Sequence, residues 1–472
     1  MDLGRVTDAL SQCPQAGVGM CANAVLLDRG GRQHYQNEDL AFRVNENGVA
    51  LYGVFDGHDN GRDFVEFAEQ KLLVEIFLPD SGVAGQLNEK TPNREVHNIL
   101  RSAILAVEAS YFDRIAGDLA QRASLRQEIE GMHDYTAYKN HPDIVRKLQE
   151  IDARVSGGAS LVVALVLGNR LFIANVGDCR ALVCRANELG QLSVTQFSTQ
   201  HDTKNSDEIL RLSQLGLPDE VIAHWGHPYS TRCLGDFRRK RGYREIEALA
   251  MAKDEPVIPT PDISGPFIID DSYRFLILMS AGLYAAWEDA TGSSTANADI
   301  TSMVASEFDI QATVNSVAQA VVDKMARTHS ETFYHYEIRK QLCESHQDLT
   351  LLVRRFNQPL GEFVEPGLPM SHTNSGFFIG MEDESMRSVD DDEQRTIVSQ
   401  TTGSTLTNED SLQNSQEDRS NRSSLRHENP NPYKLNENNR IQPYVDFSCY
   451  YEAMRKNREK QATSGSGENS KS

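Results

Sequence analysis

Residues 158–184 read GASLVVALVLGNRLFIANVGDCRALVC and contain three short apolar runs. The runs cover residues 161–167, 171–176 and 180–184, and turn residues separate them. Apolar runs of this length between turns are typical of buried strands. Similar runs predict three further strands at residues 50–55, 275–280 and 349–353. The sequence therefore predicts an α/β or α+β domain built on buried sheets.

Helical periodicity is clearest between residues 93 and 154. The apolar positions of one face recur three or four apart and are Val96, Leu100, Ile104, Val107 and Tyr111. This spacing is typical of an amphipathic helix that packs on a core. Two more helices are predicted at residues 206–215 and 310–328, whereas residues 128–138 are polar enough to predict an exposed loop. Together these elements predict one domain of roughly 350 residues.

The charge balance excludes one large class of function. The chain has 472 residues, with 47 Lys and Arg against 68 Asp and Glu, and a formal net charge of −21. Nucleic-acid affinity depends on basic side chains that neutralise phosphates, so we expect no nucleic-acid partner. The seven cysteines lack the spacing of a disulfide framework or a zinc site. With no signal-like N-terminus and only strand-sized apolar runs, we expect a soluble, cytoplasmic protein without membrane insertion.

Composition changes near residue 366, beyond which Ser, Thr, Asn, Gln, Asp and Glu dominate up to about residue 438. Such a segment cannot bury enough apolar surface to offset the entropy lost on ordering. The chain is therefore predicted to have five segments. These are an N-terminal segment (1–14), a globular domain (15–365), a disordered linker rich in Ser, Thr, Asn and acidic residues (366–438), a docking helix (439–458) and a disordered C-terminus (459–472).

The docking helix is predicted from the stretch PYVDFSCYYEAM at residues 443–454. Phe447, Tyr450, Tyr451 and Met454 fall at i, i+3, i+4 and i+7, which is one face of a helix. An apolar helical face at the end of a polar tether is typical of a helix that folds into a groove on a partner. The alternative is that this helix docks on the protein's own domain.

Acidic residues lie in the turns near the apolar runs. Asp56 follows the run at 50–55, Asp178 follows the run at 171–176, and Glu38 and Asp39 lie upstream of both. Carboxylates at the ends of adjacent strands converge on one edge of a sheet, as hard divalent cations such as Mg²⁺ or Mn²⁺ require. The alternative is that each Asp only caps a turn, since Asp and Gly are common turn residues.

Eight motifs in order resemble those of the metal-dependent Ser/Thr phosphatases of the protein phosphatase 2C fold. They are NED (37–39), VFDGHD (54–59), SGGAS (156–160), ANVGDCRALV (174–183), an ELRL-like stretch with LG (208–216), TRCLGDFRRK (231–240), FLILMSAGLY (275–284) and QDLTLLV (347–353). The resemblance covers roughly residues 15–360. It implies an α+β fold, a β-sandwich flanked by helices. It also implies a two-metal centre that activates water for in-line attack on a phosphoserine or phosphothreonine.

The resemblance assigns roles to the positions that match. It implies metal ligands at Glu38, Asp39, Asp56, Gly57 and Asp178. Among them, Asp56 would bridge two ions, Gly57 would offer its backbone carbonyl and Asp178 would support a third ion. His58 matches the residue proposed as general acid for the leaving group.

Three positions depart from the family's pattern. Ala281 and Gln347 replace two carboxylate ligands, and His34 replaces the phosphate-binding Arg. Asp348 is predicted to point away from the site, because side chains alternate in an extended segment. We therefore predict a pseudophosphatase in which His34, His58, Ala281 and Gln347 are vestiges of a catalytic site. It requires no cofactor and binds at most one Mg²⁺ or Mn²⁺ weakly; the alternative is an active metal-dependent Ser/Thr phosphatase with a divergent site.

The tail motif PYVDFxxxY resembles the kinase-docking helix of phosphatase-2C-like adaptors. The resemblance implies that the helix binds and activates TGF-beta-activated kinase, a MAP kinase kinase kinase, while the globular domain acts as a scaffold. The predicted kinase-binding residues are Tyr444, Val445, Phe447, Tyr450, Tyr451 and Met454. The resemblance also implies a stress-activated MAP kinase and an inhibitor-of-apoptosis protein as partners, and the sequence places neither site.

Overall fold

The computed structural model describes residues 10–22, 36–77, 87–225, 230–335, 341–357 and 362–363. The chain divides into two units, Met1–Ser375 and Gly376–Ser472, and every described residue lies in the first. The predicted linker, docking helix and C-terminal segment therefore fall outside the described residues.

Twelve strands occur in the described part of the chain. They are β1 (Ala16–Cys21), β2 (Leu40–Glu46), β3 (Val49–His58), β4 (Gly158–Leu167), β5 (Arg170–Val176), β6 (Arg180–Ala186), β7 (Gln191–Gln196), β8 (Leu234–Gly235), β9 (Asp262–Ile268), β10 (Tyr273–Met279), β11 (Leu349–Arg355) and β12 (Glu362–Phe363). The six strands predicted from apolar runs are confirmed as β3, β4, β5, β6, β10 and β11.

The strands form two sheets of six. One has the order β1-β11-β10-β6-β7-β12, and the other has the order β2-β3-β4-β5-β9 with β8 paired to β4. All pairs are antiparallel except the short parallel pair of β7 with β12. Helices flank both sheets, so the predicted α+β sandwich is confirmed.

Ten helices occur in the same residues. They are α1 (Arg62–Phe77), α2 (Asn93–Arg114), α3 (Ala116–Glu128), α4 (Asp134–Asn140), α5 (Pro142–Val155), α6 (Ser206–Gln214), α7 (Asp219–Ala223), α8 (Ala281–Thr291), α9 (Ala296–Ile310) and α10 (Val314–His335). The predicted helix at 206–215 is confirmed as α6. The one predicted at 310–328 begins later, at Val314, because Ile310 ends α9.

The prediction of an exposed loop at residues 128–138 is wrong for residues 134–138, which belong to α4. The side chain of His133 accepts a hydrogen bond from the Tyr135 N–H at 3.3 Å and caps the first turn. Exposure was correctly predicted, since Tyr135 and Tyr138 are 69% and 66% exposed.

The central strands are apolar on both faces because each face meets a different layer. In β4, Leu161 and Val163 join the core formed with α1 and α2. Val162 and Ala164 join a second core, which lies between the two sheets. Because successive side chains of a strand point to opposite faces, both sets are buried, and the strand reads as a continuous apolar run.

Candidate functional site

Polar residues at the ends of β3, β5 and β11 line a cavity of about 290 Å³. Its lining includes Glu38, Asp56, Gly57, His58, Ser160, Asp178, His346, Gln347 and Asp348. The antiparallel register of β3 with β4 places Asp56 opposite Ser160, at the edge where β3 leaves the apolar core. We call this space the carboxylate cavity.

Most of the predicted site residues meet here. Glu38, Asp56, Gly57, Asp178 and Gln347 line the carboxylate cavity, as does His58. Asp39 is fully buried. It lies beside the cavity, close enough for Asp348 and the Gly57 backbone to affect its pKa. His34 and the six predicted kinase-binding residues lie outside the described residues.

A helix N-terminus faces Asp56. Ala281 is the first residue of α8, and its backbone N–H donates to Asp56 Oδ2 at 2.6 Å. The first N–H groups of a helix lack partners within the helix and attract anions. Asp56 thus receives a backbone donor from Ala281, whose own side chain is a methyl group that cannot bind a metal.

The buried carboxylates repel one another. Burial and the charge of Asp348 raise the pKa of Asp39 to about 7, although the Thr350 and Ser280 hydroxyls offset part of the rise. Burial and the charges of Asp39 and Asp178 also raise the pKa of Asp56 well above its ordinary range. A crowded carboxylate group either takes up protons or binds a cation. This donor set of carboxylate oxygens fits a hard divalent cation.

Asp348 corrects one prediction made from the sequence. Its Oδ2 accepts a hydrogen bond from the Glu38 N–H at 2.6 Å, and both Asp348 and Gln347 line the carboxylate cavity. The predicted alternation fails because β11 begins only at Leu349, so residues 347 and 348 are not in a strand. A carboxylate is therefore present next to the amide of Gln347.

Asp178 is positioned by a turn that depends on glycine and a buried histidine. Gly177 has φ +100°, a conformation that residues with a Cβ rarely adopt. Its N–H donates to His201 Nδ1 at 2.9 Å, and His201 Nε2 lies 3.3 Å from Asp262 Oδ2. Ser160 Oγ donates to Asp178 Oδ1 at 2.8 Å. Sequence reasoning missed His201 and Asp262, for which the chain offers no local motif.

His58 lies against a second buried acid. Its Nε2 is 3.7 Å from Asp236 Oδ2, and Arg239 Nε is 2.5 Å from the same oxygen. Burial raises the pKa of Asp236, but His58 and Arg239 outweigh this and bring it to about 2. Asp236 is therefore a charged partner that orients the imidazole of His58.

His58, Cys233 and Asp236 offer ligand atoms within 4.8 Å of one another. Their surroundings oppose a cation, because Arg239 already pairs with Asp236 and the Lys240 Nζ donates to the Cys233 carbonyl at 2.8 Å. Burial also raises the pKa of the Cys233 thiol to about 12, which disfavours the thiolate that binds metals. This cluster is a weaker metal site than the carboxylate cavity.

Among the helices of the described residues, none has both the length and the hydrophobicity needed to span a bilayer.

Known proteins resemble this chain over its globular part. A family model described as protein phosphatase 2C matches residues 66–332. A Caenorhabditis elegans protein named "TGF-beta-activated kinase 1 and MAP3K7-binding protein 1" is 26% identical over 66% of this chain and 74% of its own length. An Arabidopsis thaliana "Probable protein phosphatase 2C 43" is 26% identical over 50% of this chain and 45% of its own length.

The comparison with solved structures also found similar chains. One, described as "Crystal structure of serine-threonine phosphatase 2C from Toxoplasma gondii", is 16% identical with a TM-score of 0.41. It covers 72% of this chain and 93% of the solved chain. The chain thus spans about three quarters of the nematode relative but less than half of the plant relative.

Proposed function

The chain belongs to the protein phosphatase 2C family, and on that premise we propose that it is a non-catalytic signalling adaptor. Its pseudophosphatase domain acts as a protein-interaction scaffold, and its C-terminal helix binds and activates a MAP kinase kinase kinase. The observation that carries the non-catalytic part is the contact at Ala281. A backbone N–H holds Asp56 there, at a position where the family resemblance implies a carboxylate ligand.

Two-metal hydrolysis requires both ions, because together they lower the pKa of the attacking water and neutralise the phosphoryl group. Ala281 offers no side-chain ligand, and Gln347 offers a neutral amide in place of an anion. His34 stands where the resemblance implies an Arg, and an imidazole lacks the bidentate fork that Arg presents to phosphate. The nucleophile and the substrate clamp are both weakened.

A single weakly bound Mg²⁺ or Mn²⁺ remains compatible with the residues present. Glu38, Asp39, Asp56, the Gly57 carbonyl and Asp178 would hold it. Such an ion would supply charge neutralisation to a buried carboxylate cluster. The adaptor function does not require it.

The kinase partner is proposed on two supports. The nematode relative carries kinase binding in its printed name, and the stretch at 443–454 has one apolar helical face in a polar tail. An amphipathic helix of this kind binds by laying that face into a groove. TGF-beta-activated kinase is therefore the proposed partner, with Tyr444, Val445, Phe447, Tyr450, Tyr451 and Met454 as the contact residues.

The direct test is co-precipitation of the full chain with the kinase. We expect Phe447→Ala to reduce binding at least tenfold, because buried aromatic anchors contribute about 2 kcal/mol or more to such interfaces. Tyr433→Ala is the matched control and should bind normally, because it removes an aromatic side chain 14 residues before Phe447, the first residue of the apolar face. Kinase binding that is unchanged in Phe447→Ala refutes the proposed docking helix.

The non-catalytic part has its own test. Full-length protein is incubated with phosphoserine and phosphothreonine peptides in Mn²⁺, and released phosphate is measured against Asp56→Ala. We expect no difference between the two proteins. Turnover that is present in the natural chain and lost in Asp56→Ala refutes the pseudophosphatase assignment.

One observation favours a second candidate, an active metal-dependent Ser/Thr phosphatase with a divergent site. Asp348 lies in the carboxylate cavity beside Gln347 and supplies an anion near the lost ligand position. The same assay separates the two candidates, since only an active enzyme would lose turnover in Asp348→Asn. A stress-activated MAP kinase, an inhibitor-of-apoptosis protein and a cytoplasmic location remain proposals of the adaptor hypothesis.

A further inference from the structure

A small helical region beside the carboxylate cavity has its own core and an open groove. Its core contains α6 and α7 residues together with the segment around Tyr243. A cavity of about 540 Å³ lies against this core. Val221, Trp225, Ile246 and Leu249 form the apolar part of its lining. We call this cavity the apolar groove.

The apolar groove borders two polar spaces, because it shares lining residues with each of them. Asp59 lines both the groove and the carboxylate cavity. Arg238 lines both the groove and a third cavity of about 240 Å³, here called the arginine cavity. A chain segment that places an apolar side chain in the groove can therefore place a neighbouring residue beside Arg238.

The arginine cavity carries one positive charge in excess. Its lining contains Arg122, Arg126 and Arg238 against Asp152 and Glu245. Arg122 bonds Asp152 at 2.5 Å and Glu245 at 2.7 Å, and Arg126 also pairs with Glu245. Arg238 is exposed and forms no hydrogen bond or ion pair with any of the described residues. Within the described part of the chain, it is the Arg of this cavity that can pair with an external anion.

The other charged residues of the groove limit how many acidic residues a bound peptide can carry there. Arg239 is held by Asp236 at 2.5 Å and by Asp59 at 3.2 Å, so it is already neutralised. Glu220 also lines the groove and would repel a second anion. The pattern favours one acidic residue beside an apolar anchor over an extended acidic run.

We propose that the apolar groove and the arginine cavity together bind an extended peptide segment of a partner protein, with a large apolar side chain in the groove and a single adjacent carboxylate on Arg238. The groove volume is within the range of peptide and ligand pockets and accommodates one or two large side chains. Burial of the apolar side chain supplies most of the affinity. The ion pair with Arg238 fixes the position of the peptide along the groove. This site lies in the globular domain and goes beyond the proposed kinase contact of the tail.

The test measures binding of a fluorescein-labelled peptide to the full chain by anisotropy. The parent peptide is Gly-Ser-Leu-Phe-Glu-Gly-Ser; one variant replaces its Glu by Gln and another replaces Leu-Phe by Ser-Ser. An exposed ion pair contributes modestly to affinity, so Arg238→Glu or the Gln peptide should weaken binding about two- to fivefold. The Ser-Ser peptide should lose binding. Arg244→Glu, an exposed Arg of the same segment that lines neither cavity, should bind as the natural chain does.

Combining Arg238→Gln with the Gln peptide gives the discriminating measurement. If the two groups form a pair, the double change costs no more than either single change. The fluorescence of Trp225 supplies a second readout. The chain has two tryptophans, so in the Trp287→Phe variant all tryptophan emission comes from Trp225. This emission should shift to the blue when the peptide enters the groove.

Several results would overturn the proposal. These are equal affinity of Arg238→Glu and the natural chain, additive losses in the double change, or peptide binding that leaves Trp225 emission unaltered. Self-association of the full chain in sedimentation that Arg238→Glu abolishes, with no peptide binding, would assign the groove to a second copy instead. None of these outcomes depends on whether the tail binds a kinase.

Discussion

Replacing Ala281 by Asp tests the proposal that position 281 of the carboxylate cavity lacks a metal ligand. Ala281 is 3% exposed, begins α8 and donates its N–H to Asp56 at 2.6 Å. A carboxylate on its Cβ would enter surroundings in which burial and the charge of Asp348 already raise the pKa of Asp39 to about 7. Without metal, the new charge destabilises the fold; with metal, it becomes a ligand.

The size of the effect follows from the surroundings of Asp39. A rise from 3.8 to about 7 corresponds to about 4 kcal/mol, at 1.36 kcal/mol for each pKa unit. A new buried carboxylate meets a penalty of the same order. A domain of ~350 residues changes its unfolding free energy by about 0.7 kcal/mol per degree, so Ala281→Asp should melt about 6 °C lower in EDTA. Mn²⁺ at a hundred times its Kd should stabilise the variant by about 2.7 kcal/mol. This stabilisation should raise its melting temperature by about 4 °C.

The assay is thermal unfolding of the full chain in EDTA and across a Mn²⁺ titration, with calorimetry to measure the Kd. Ala281→Asn is the matched control, because it adds the same volume without the charge. We expect Mn²⁺ to stabilise Ala281→Asp by several degrees more than it stabilises Ala281→Asn or the natural chain. Equal responses of the three proteins would refute the reasoning that position 281 faces a metal site.

Two further predictions concern buried charges away from this cavity. Lys240 is 1% exposed and its Nζ donates to Glu108, which also accepts from the Gly235 N–H at 2.8 Å. Lys240→Met should lower the unfolding free energy in urea by about 3–5 kcal/mol by leaving Glu108 charged and unpaired, and adding Glu108→Gln should recover most of the loss; no recovery would contradict the pairing. For Glu208, burial raises the pKa, but hydrogen bonds led by that from Arg232 bring it from 4.5 to about 2. Because the folded value lies below the unfolded one, the stabilisation is complete above pH ~4.5 and is lost as pH falls toward 2. The natural chain should thus lose about 2 kcal/mol more than Glu208→Gln between pH 6 and pH 3, and parallel acid profiles would contradict this.

The sequence identified central strands and missed those at the edges. β4 is buried on both faces, and its unbroken apolar run stands out from the surrounding chain. β9 reads DISGPFI and β2 reads LAFRVNE; each lies at one end of its sheet and has exposed or half-buried positions along its length. An edge strand needs fewer apolar residues because fewer neighbours cover it. Its pairing depends on backbone hydrogen bonds that leave little trace in side-chain composition.

The sequence indicated several residues that lie together in the carboxylate cavity, but it did not indicate the residues that position them. Asp56 and Asp178 stood out in the sequence because each is an acidic residue directly after an apolar run, although Asp56 lies within β3 rather than in a turn. Asp348 was misplaced because the rule of alternation assumes a regular strand, and the chain is irregular until Leu349. His201 contacts a backbone N–H that is 24 positions away. Contacts of this kind depend on the assembled fold, and spacing along the chain does not reveal them.

The hydrogen-bond donors in the carboxylate cavity stabilise its acidic side chains within the fold. Four of them accept a hydrogen bond from within the domain: Asp348 from the Glu38 N–H, Asp56 from the Ala281 N–H, Glu38 from the Gly61 N–H and Asp178 from the Ser160 hydroxyl. The fifth, Asp39, is fully buried, and burial together with the charge of Asp348 raises its pKa, which favours its protonated form. Donors and protons together offset charge that metal ions would otherwise neutralise. A scaffold can therefore keep these acids as parts of its fold, which is why their presence alone does not argue for turnover and why Ala281 and Gln347 are the informative positions.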